Sequence, residues 1–87
     1  MYTIIYTKTA IKDIPKLKSA HLDKTALALI NILKENPYQT PPRFEKLMGN
    51  LSGSYSRRIN HQHRLVYEVI EEEKTVKIIS LWTHYER

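Results

Sequence analysis

Glu45, Arg58, Arg64 and His84 bring together one carboxylate, two guanidiniums and one imidazole, a set suited to RNA cleavage by transesterification. A base takes the proton from a ribose 2′-OH, which attacks its own 3′-phosphate. A guanidinium stabilises the charge on the pentacovalent phosphorane, and an acid protonates the leaving 5′-oxygen. A glutamate, with an ordinary pKa of about 4.3, is ionised at neutral pH and can act as the base. A histidine, ordinarily near about 6.5, can be charged beside phosphates and act as the acid. RNA supplies its own nucleophile, so neither Ser, Cys nor metal is required, and DNA, lacking the 2′-OH, cannot react this way. Each residue also has a plainer assignment. Glu45 can pair with Lys46 or Arg43 on the surface, Arg58 and Arg64 can be a solvated sheet face, and His84 can be ordinary surface. His61 and His63 form an H-x-H that could seat zinc, but no Cys and no further clustered ligand supports it, so neither a metal nor a cofactor is expected.

These residues fall on a run of short elements. Tyr2 to Tyr6 is β-branched and aromatic and reads as a strand. Thr7 or Thr9 can cap a helix running to about Ala20, with Ala10, Ile11, Ile14 and Leu17 on one face. Pro15 inside it predicts a kink or two short pieces. Leu22, Ala26, Leu29, Ile30 and Leu33 make the apolar stripe of a second helix, with Asp23 as cap and Asn36-Pro37 as stop. Tyr38 to Arg43, carrying Pro41-Pro42, reads as an extended connection. Strands are expected at Phe44–Leu47, Ser54–Ile59, Arg64–Ile70 and Thr75–Trp82. They are separated by the turns Gly49–Gly53, Asn60–His63 and the acidic Glu71–Lys74. The order β-α-α-β-β-β(-β) predicts a single α+β domain over residues 1–87, a small twisted antiparallel sheet with both helices on one face. The other face is left open to water or a ligand.

Alternation sorts the late strands. Leu65, Tyr67 and Val69 suit the helix side, which sends Arg64 to the open face. Ser56 and Arg58 project the same way. Arg57 shares the parity of Tyr55 and Ile59 and is expected to snorkel out at the sheet rim. In the last strand both parities carry large apolar groups (Ile79 and Leu81 against Ile78 and Trp82), so its facing is ambiguous. Glu45 and His84 enter from neighbouring strands.

Charge agrees with a polyanionic partner. The chain has 87 residues with 14 Lys and Arg against 9 Asp and Glu, a net +5. Residues 1–42 use Lys as their only strong cation, whereas Arg43, Lys46, Arg57, Arg58 and Arg64 surround the lone Glu45 between 43 and 67. Arg presents a planar fork that matches phosphate, which Lys does not. Arg57 and Lys46 join Arg58 as candidate substrate-binding residues. There is no cysteine and hence no disulfide, thiol nucleophile or Cys-based metal site. No apolar run approaches the roughly 18 residues of a membrane span. The N-terminus lacks the features of a signal peptide. A soluble cytoplasmic domain is expected.

Several motifs sharpen this reading. Asn50-Leu51-Ser52-Gly53, Ser56-Arg57-Arg58-Ile59, His63-Arg64-Leu65-Val66-Tyr67 and the terminal His84-Tyr85 resemble the Txe/YoeB toxins of the RelE/ParE superfamily, over nearly the whole chain. The resemblance implies a microbial-RNase-type fold and a ribosome-dependent endoribonuclease that cuts mRNA in the A site and inhibits translation. It implies Glu45 as general base, Arg64 as the phosphate-stabilising arginine, His84 as general acid, Tyr85 orienting the substrate and Arg58 contacting it. It also implies a cognate YefM-type antitoxin, with operator DNA reached only through the antitoxin complex, and allows a homodimer. Pro15, the short connection before Phe44 and the extra Glu86-Arg87 depart from the family pattern. Two rival readings are a ParE-like toxin that inhibits gyrase without catalysis and a DNA-binding co-repressor subunit.

Overall fold

The computed structural model describes residues 1–48 and 53–84, with His84 described by its backbone alone. Five strands and two helices follow in the order β1 (Thr3–Tyr6), α1 (Lys8–Ser19), α2 (Asp23–Glu35), β2 (Phe44–Lys46), β3 (Ser54–Arg58), β4 (His63–Ile70) and β5 (Thr75–His84). The sheet order is β1-β5-β4-β3-β2. Strands β2 to β5 pair antiparallel as expected, and β1 adds to β5 in parallel, with Thr3 opposite Thr75. The α+β architecture read from the sequence is therefore the one found, completed by one parallel edge. Most of the Gly49–Gly53 turn lies outside the described residues. Among the described residues no helix is long and apolar enough to cross a membrane.

Both helices cover one face of the sheet. Ala10 and Leu17 from α1 meet Ala26, Leu29, Ile30 and Leu33 from α2 over Leu65, Tyr67, Val76, Ile78 and Leu81 of the two central strands. Each such Leu or Ile contributes roughly 1.5–3 kcal/mol by leaving water. Thr7 caps α1, its Oγ1 accepting from the Ala10 N–H at 3.1 Å. Of the two outcomes expected at Pro15, a kink or two short pieces, the second is not found: α1 runs unbroken through it. The proline lies on the exposed side, where water can satisfy the Ile11 carbonyl that loses its donor. α1 ends with His21 at φ 60°, the Leu22 N–H reaching back to the Leu17 carbonyl at 2.8 Å and the His21 N–H to Lys18 at 3.1 Å. This left-handed closure turns the chain directly into α2. Asp23 is the first residue of α2 and not its cap: Leu22 holds the cap position without a side-chain hydrogen bond. At that position the Asp23 carboxylate faces the positive end of the helix dipole.

The ambiguous facing of β5 has a physical resolution. The β4–β5 register shifts between Arg64 and Val66 and again between Val66 and Tyr67. These bulges let Ile78 and Leu81, three residues apart, both enter the core, while Ser80 and Thr83 share the other side and join hydroxyls. A bulge leaves backbone groups without ladder partners, and here α1 supplies them. The Leu81 N–H donates to Oδ2 of the buried Asp13 at 2.9 Å, and Thr7 Oγ1 donates to the Ile79 carbonyl at 2.7 Å. Lys16 Nζ lies 3.7 Å from the other Asp13 oxygen.

A second tie closes the opposite end of the sheet. The Glu71 carboxylate, at the β4–β5 turn, accepts from Tyr38 Oη at 2.5 Å and Tyr2 Oη at 2.9 Å, and pairs with Lys74 Nζ at 3.3 Å. It thus joins β1 to the connection after α2. That connection is turned rather than extended: Gln39 N–H bonds back to Asn36, and the Thr40-Pro41 and Pro41-Pro42 peptides are cis. The hydrogen bonds from Tyr38 and then Tyr2, with Lys74 behind them, hold the Glu71 carboxyl below its ordinary range. Desolvation first, and then Glu71, raise the Tyr38 phenol well above its own.

Two outcomes follow from these ties. Asp13→Ala leaves the Leu81 N–H buried and unmatched and should lower stability in urea unfolding by about 2 kcal/mol, the scale of a hydrogen bond to a charged group. A loss under about 0.5 kcal/mol, that of an ordinary surface change, would show that the tie carries nothing. For Glu71, a folded pKa below the unfolded value of about 4.3 means a contribution that is complete above that pH and lost as pH falls through the folded value. The difference in urea midpoint between wild type and Glu71→Gln should be present at neutral pH, shrink as pH drops below about 4.3 and fall with added salt. A difference independent of pH would contradict this.

Candidate active site on the open sheet face

Three strands build the site. β3 lies between β2 and β4, with Glu45 opposite Ser56 on one side and Arg58 opposite Arg64 on the other, while Thr83 of β5 stands opposite Arg64. Ser56 and Arg58, two apart, share one face. Glu45 Oε1 lies 3.8 Å from Arg64 Nη1, and Arg64 Nη1 donates to Ser56 Oγ at 3.3 Å. The second carboxylate oxygen, Oε2, lies 3.9 Å from Arg43 Nη2. A depression of about 190 Å³ opens here, lined by Pro42, Arg43, Glu45, Ser56 and Arg58.

The two guanidiniums beside Glu45 differ in kind. The Arg64 side chain is 17% exposed and Arg43 is 87% exposed. An exposed ion pair contributes about 0–1 kcal/mol, so Arg43 is free to exchange Glu45 for another anion. Arg64, half walled in and bonded to Ser56, is the fixed partner. The plainer assignment of Glu45, a surface pair with Arg43, thus coexists with the Arg64 contact, while Lys46 is not its partner. Arg43, Arg58 and Arg64 against Glu45 leave the site with a cationic excess. Arg58 and Arg64 directly across from each other repel, which favours binding of a polyanion between them.

Of the other expected site residues, Arg57 and Lys46 fall elsewhere. Arg57 is corrected outright: it is 1% exposed and points under the sheet instead of snorkelling to the rim. Its Nε donates to Tyr67 Oη at 3.2 Å, Nη1 to the Pro42 carbonyl at 2.6 Å, and Nη2 to the carbonyls of Pro37 and Gln39 at 3.0 and 2.9 Å. It has no surface left for a substrate. Burial raises the pKa of Tyr67, against the pull of Arg57, so the phenol stays protonated and donates to the Pro37 carbonyl at 3.0 Å. Lys46 stands opposite Tyr55 and so on the face away from Glu45. The His84 backbone ends β5 opposite His63, one residue beyond the Thr83–Arg64 pair. Tyr85 lies outside the described residues, as do Glu86 and Arg87. His63 is buried with its ring stacked on Trp82 at 3.8 Å, which separates it in role from the exposed His61. Among the described residues no three His, Asp or Glu side chains gather around a metal-sized space. Sequence reasoning put Ser56 on the open face with Arg58 but gave it no role, and so missed it as the hydroxyl that accepts from Arg64.

Comparison with known proteins bears on the fold and the family. A family model described as the YoeB-like toxin of bacterial type II toxin–antitoxin systems matches residues 6–85. A toxin YoeB of Synechocystis is 42% identical over 69 residues, covering 75% of this chain and 78% of the relative. A solved YoeB/ParE toxin from Agrobacterium tumefaciens superposes with a TM-score of 0.85 at 27% identity, covering 95% of this chain and 99% of that one. The toxin in a YoeB–YefM complex from Staphylococcus aureus superposes at 0.80 with 34% identity, covering 98% and 99%. With the match running from the end of the first strand through residue 85, the chain belongs to the YoeB-like toxin family of bacterial type II toxin–antitoxin systems.

Proposed function

We propose that this toxin is a ribosome-dependent endoribonuclease that cuts mRNA in the A site and stops translation. The observation that carries the reading is the Glu45 carboxylate held 3.8 Å from the part-buried Arg64 guanidinium on the rim of an open, cationic depression. Glu45 takes the 2′-OH proton as the oxygen attacks the adjacent phosphorus. Arg64, with Arg58 across from it, bears the charge that builds on the phosphorane oxygens. His84 gives its proton to the departing 5′-oxygen, and Tyr85 orients the substrate; these two roles rest on the family resemblance. The P–O5′ bond breaks as the P–O2′ bond forms, leaving a 2′,3′-cyclic phosphate upstream and a 5′-hydroxyl downstream. The attacking oxygen belongs to the RNA, so the step needs no metal. As substrate enters, its phosphate competes with Glu45 for Arg64, which frees the carboxylate to accept the proton.

Ribosome dependence fits a site whose substrate must be delivered in one strained conformation, since the shallow depression alone offers little to bend an RNA backbone in line. The S. aureus toxin solved with YefM supports a YefM-type antitoxin as partner of this chain too. An acidic antitoxin segment would complement the net +5.

Glu45→Gln keeps the size and hydrogen-bonding shape of the side chain and removes the base. Cleavage of mRNA on programmed ribosomes should fall at least about a hundredfold, the usual scale for a general base, while toxin–ribosome affinity changes little. Primer extension and end-group analysis check both points, and a variant cutting within a few-fold of wild type would end the proposal.

A further inference from the structure

Arg57 is a buried cation for which the proposed chemistry has no use. Removing a guanidinium from water is costly unless its donors are matched, and four contacts match it here. Three of its four acceptors are carbonyls of one stretch, Pro37, Gln39 and Pro42. The fourth, Tyr67 Oη, is itself bonded to the Pro37 carbonyl. The guanidinium carbon also stands 5.0 Å from the centre of the Phe44 ring, and Phe44 is the register partner of Arg57 across β2 and β3. Arg57 therefore grips both the segment that leads into β2 and the first residue of β2.

β2 needs such a grip. It is three residues long, lies at the sheet edge and, among the described residues, pairs with β3 alone. Yet its middle residue is Glu45, and the residues just before it, Pro42 and Arg43, form a wall of the depression. We infer that Arg57 is a positioning residue of the site: from beneath the sheet it fixes residues 37–44, and so sets the distance of Glu45 from Arg64 on the opposite face. The two arginines of Ser56-Arg57-Arg58 then divide the work by parity, Arg58 facing the substrate and Arg57 holding the strand that carries the base. The consequence for rate rests on the nuclease reading, whereas the grip on residues 37–44 does not.

Arg57→Lys tests it, because a lysine keeps the charge but cannot reach three carbonyls and a ring with one point donor. Below its melting temperature, with circular dichroism confirming a folded chain, the variant should show kcat reduced about a hundredfold and KM within a few-fold of wild type. Displacing a reactive group by about 1 Å costs that much. Amide exchange over residues 38–46 should rise about tenfold or more, while amides of β4 and β5 keep their wild-type protection. A residue that merely stabilises the fold would lower the melting temperature and leave kcat of the folded protein and local exchange alone; that result overturns the inference. Should Arg57→Lys fail to fold, Tyr67→Phe removes one hydrogen bond to Arg57 and one to Pro37. It should then show the same pattern at smaller size, and wild-type kcat with wild-type exchange would again overturn it. If the wild-type toxin cuts no RNA, the nuclease reading falls, and exchange over residues 38–46 decides the role of Arg57 alone.

Discussion

The proposed general base, Glu45, sits on a short edge strand and is useful only if something fixes it more firmly than the ladder of that strand can. β2 has three residues and one neighbour, yet it must hold the Glu45 carboxylate at a set distance from Arg64, two strands away. β3 solves this by using both of its faces. Ser56 and Arg58 rise to the open side, where Ser56 Oγ accepts from Arg64, while Arg57 descends and binds the approach to β2 through its carbonyls. One strand thus links the position of the carboxylate to the position of the guanidinium that faces it, and backbone alternation divides the two tasks.

The far side of the site depends on α1 in a comparable way. β5 must run from the core, where Val76, Ile78 and Leu81 are buried, to an end that brings Thr83 opposite Arg64. Uniform alternation cannot place both Ile78 and Leu81 inside. The bulges permit it, and Asp13 of α1 and the cap residue Thr7 satisfy the backbone groups that the bulges release. A buried carboxylate remote from the chemistry therefore sets where the last strand points as it passes the open face.

Much of this was legible in the residues, and the failures have identifiable causes. Regular alternation in Arg64–Ile70 and the apolar stripe of the second helix gave the elements and their facing. Glu45 was expected to enter from a neighbouring strand, and Arg58 and Arg64 were each placed on the correct side of the sheet by parity. Arg57 was not, because its parity said inward and its charge said outward; the partners that reconcile the two are backbone carbonyls 15–20 residues earlier, which carry no side-chain signature. The turned connection after Asn36 hid for the same reason. Whether Pro15 would split its helix could not be read, because helix patterns do not reveal whether the lost hydrogen bond faces water. The facing of Thr75–Trp82 could not be read at all, since a bulge reverses parity without changing composition.

The proposed mechanism makes the 2′-oxygen of the RNA the nucleophile that Glu45 activates beside Arg64. It is tested most directly by programming ribosomes with an mRNA carrying a single 2′-deoxy nucleotide immediately 5′ of the scissile phosphate. The toxin should bind this complex as it binds the all-ribose one and leave that linkage uncut, while cleaving the all-ribose message at the same position. Cleavage at the deoxy linkage at the all-ribose rate would contradict it.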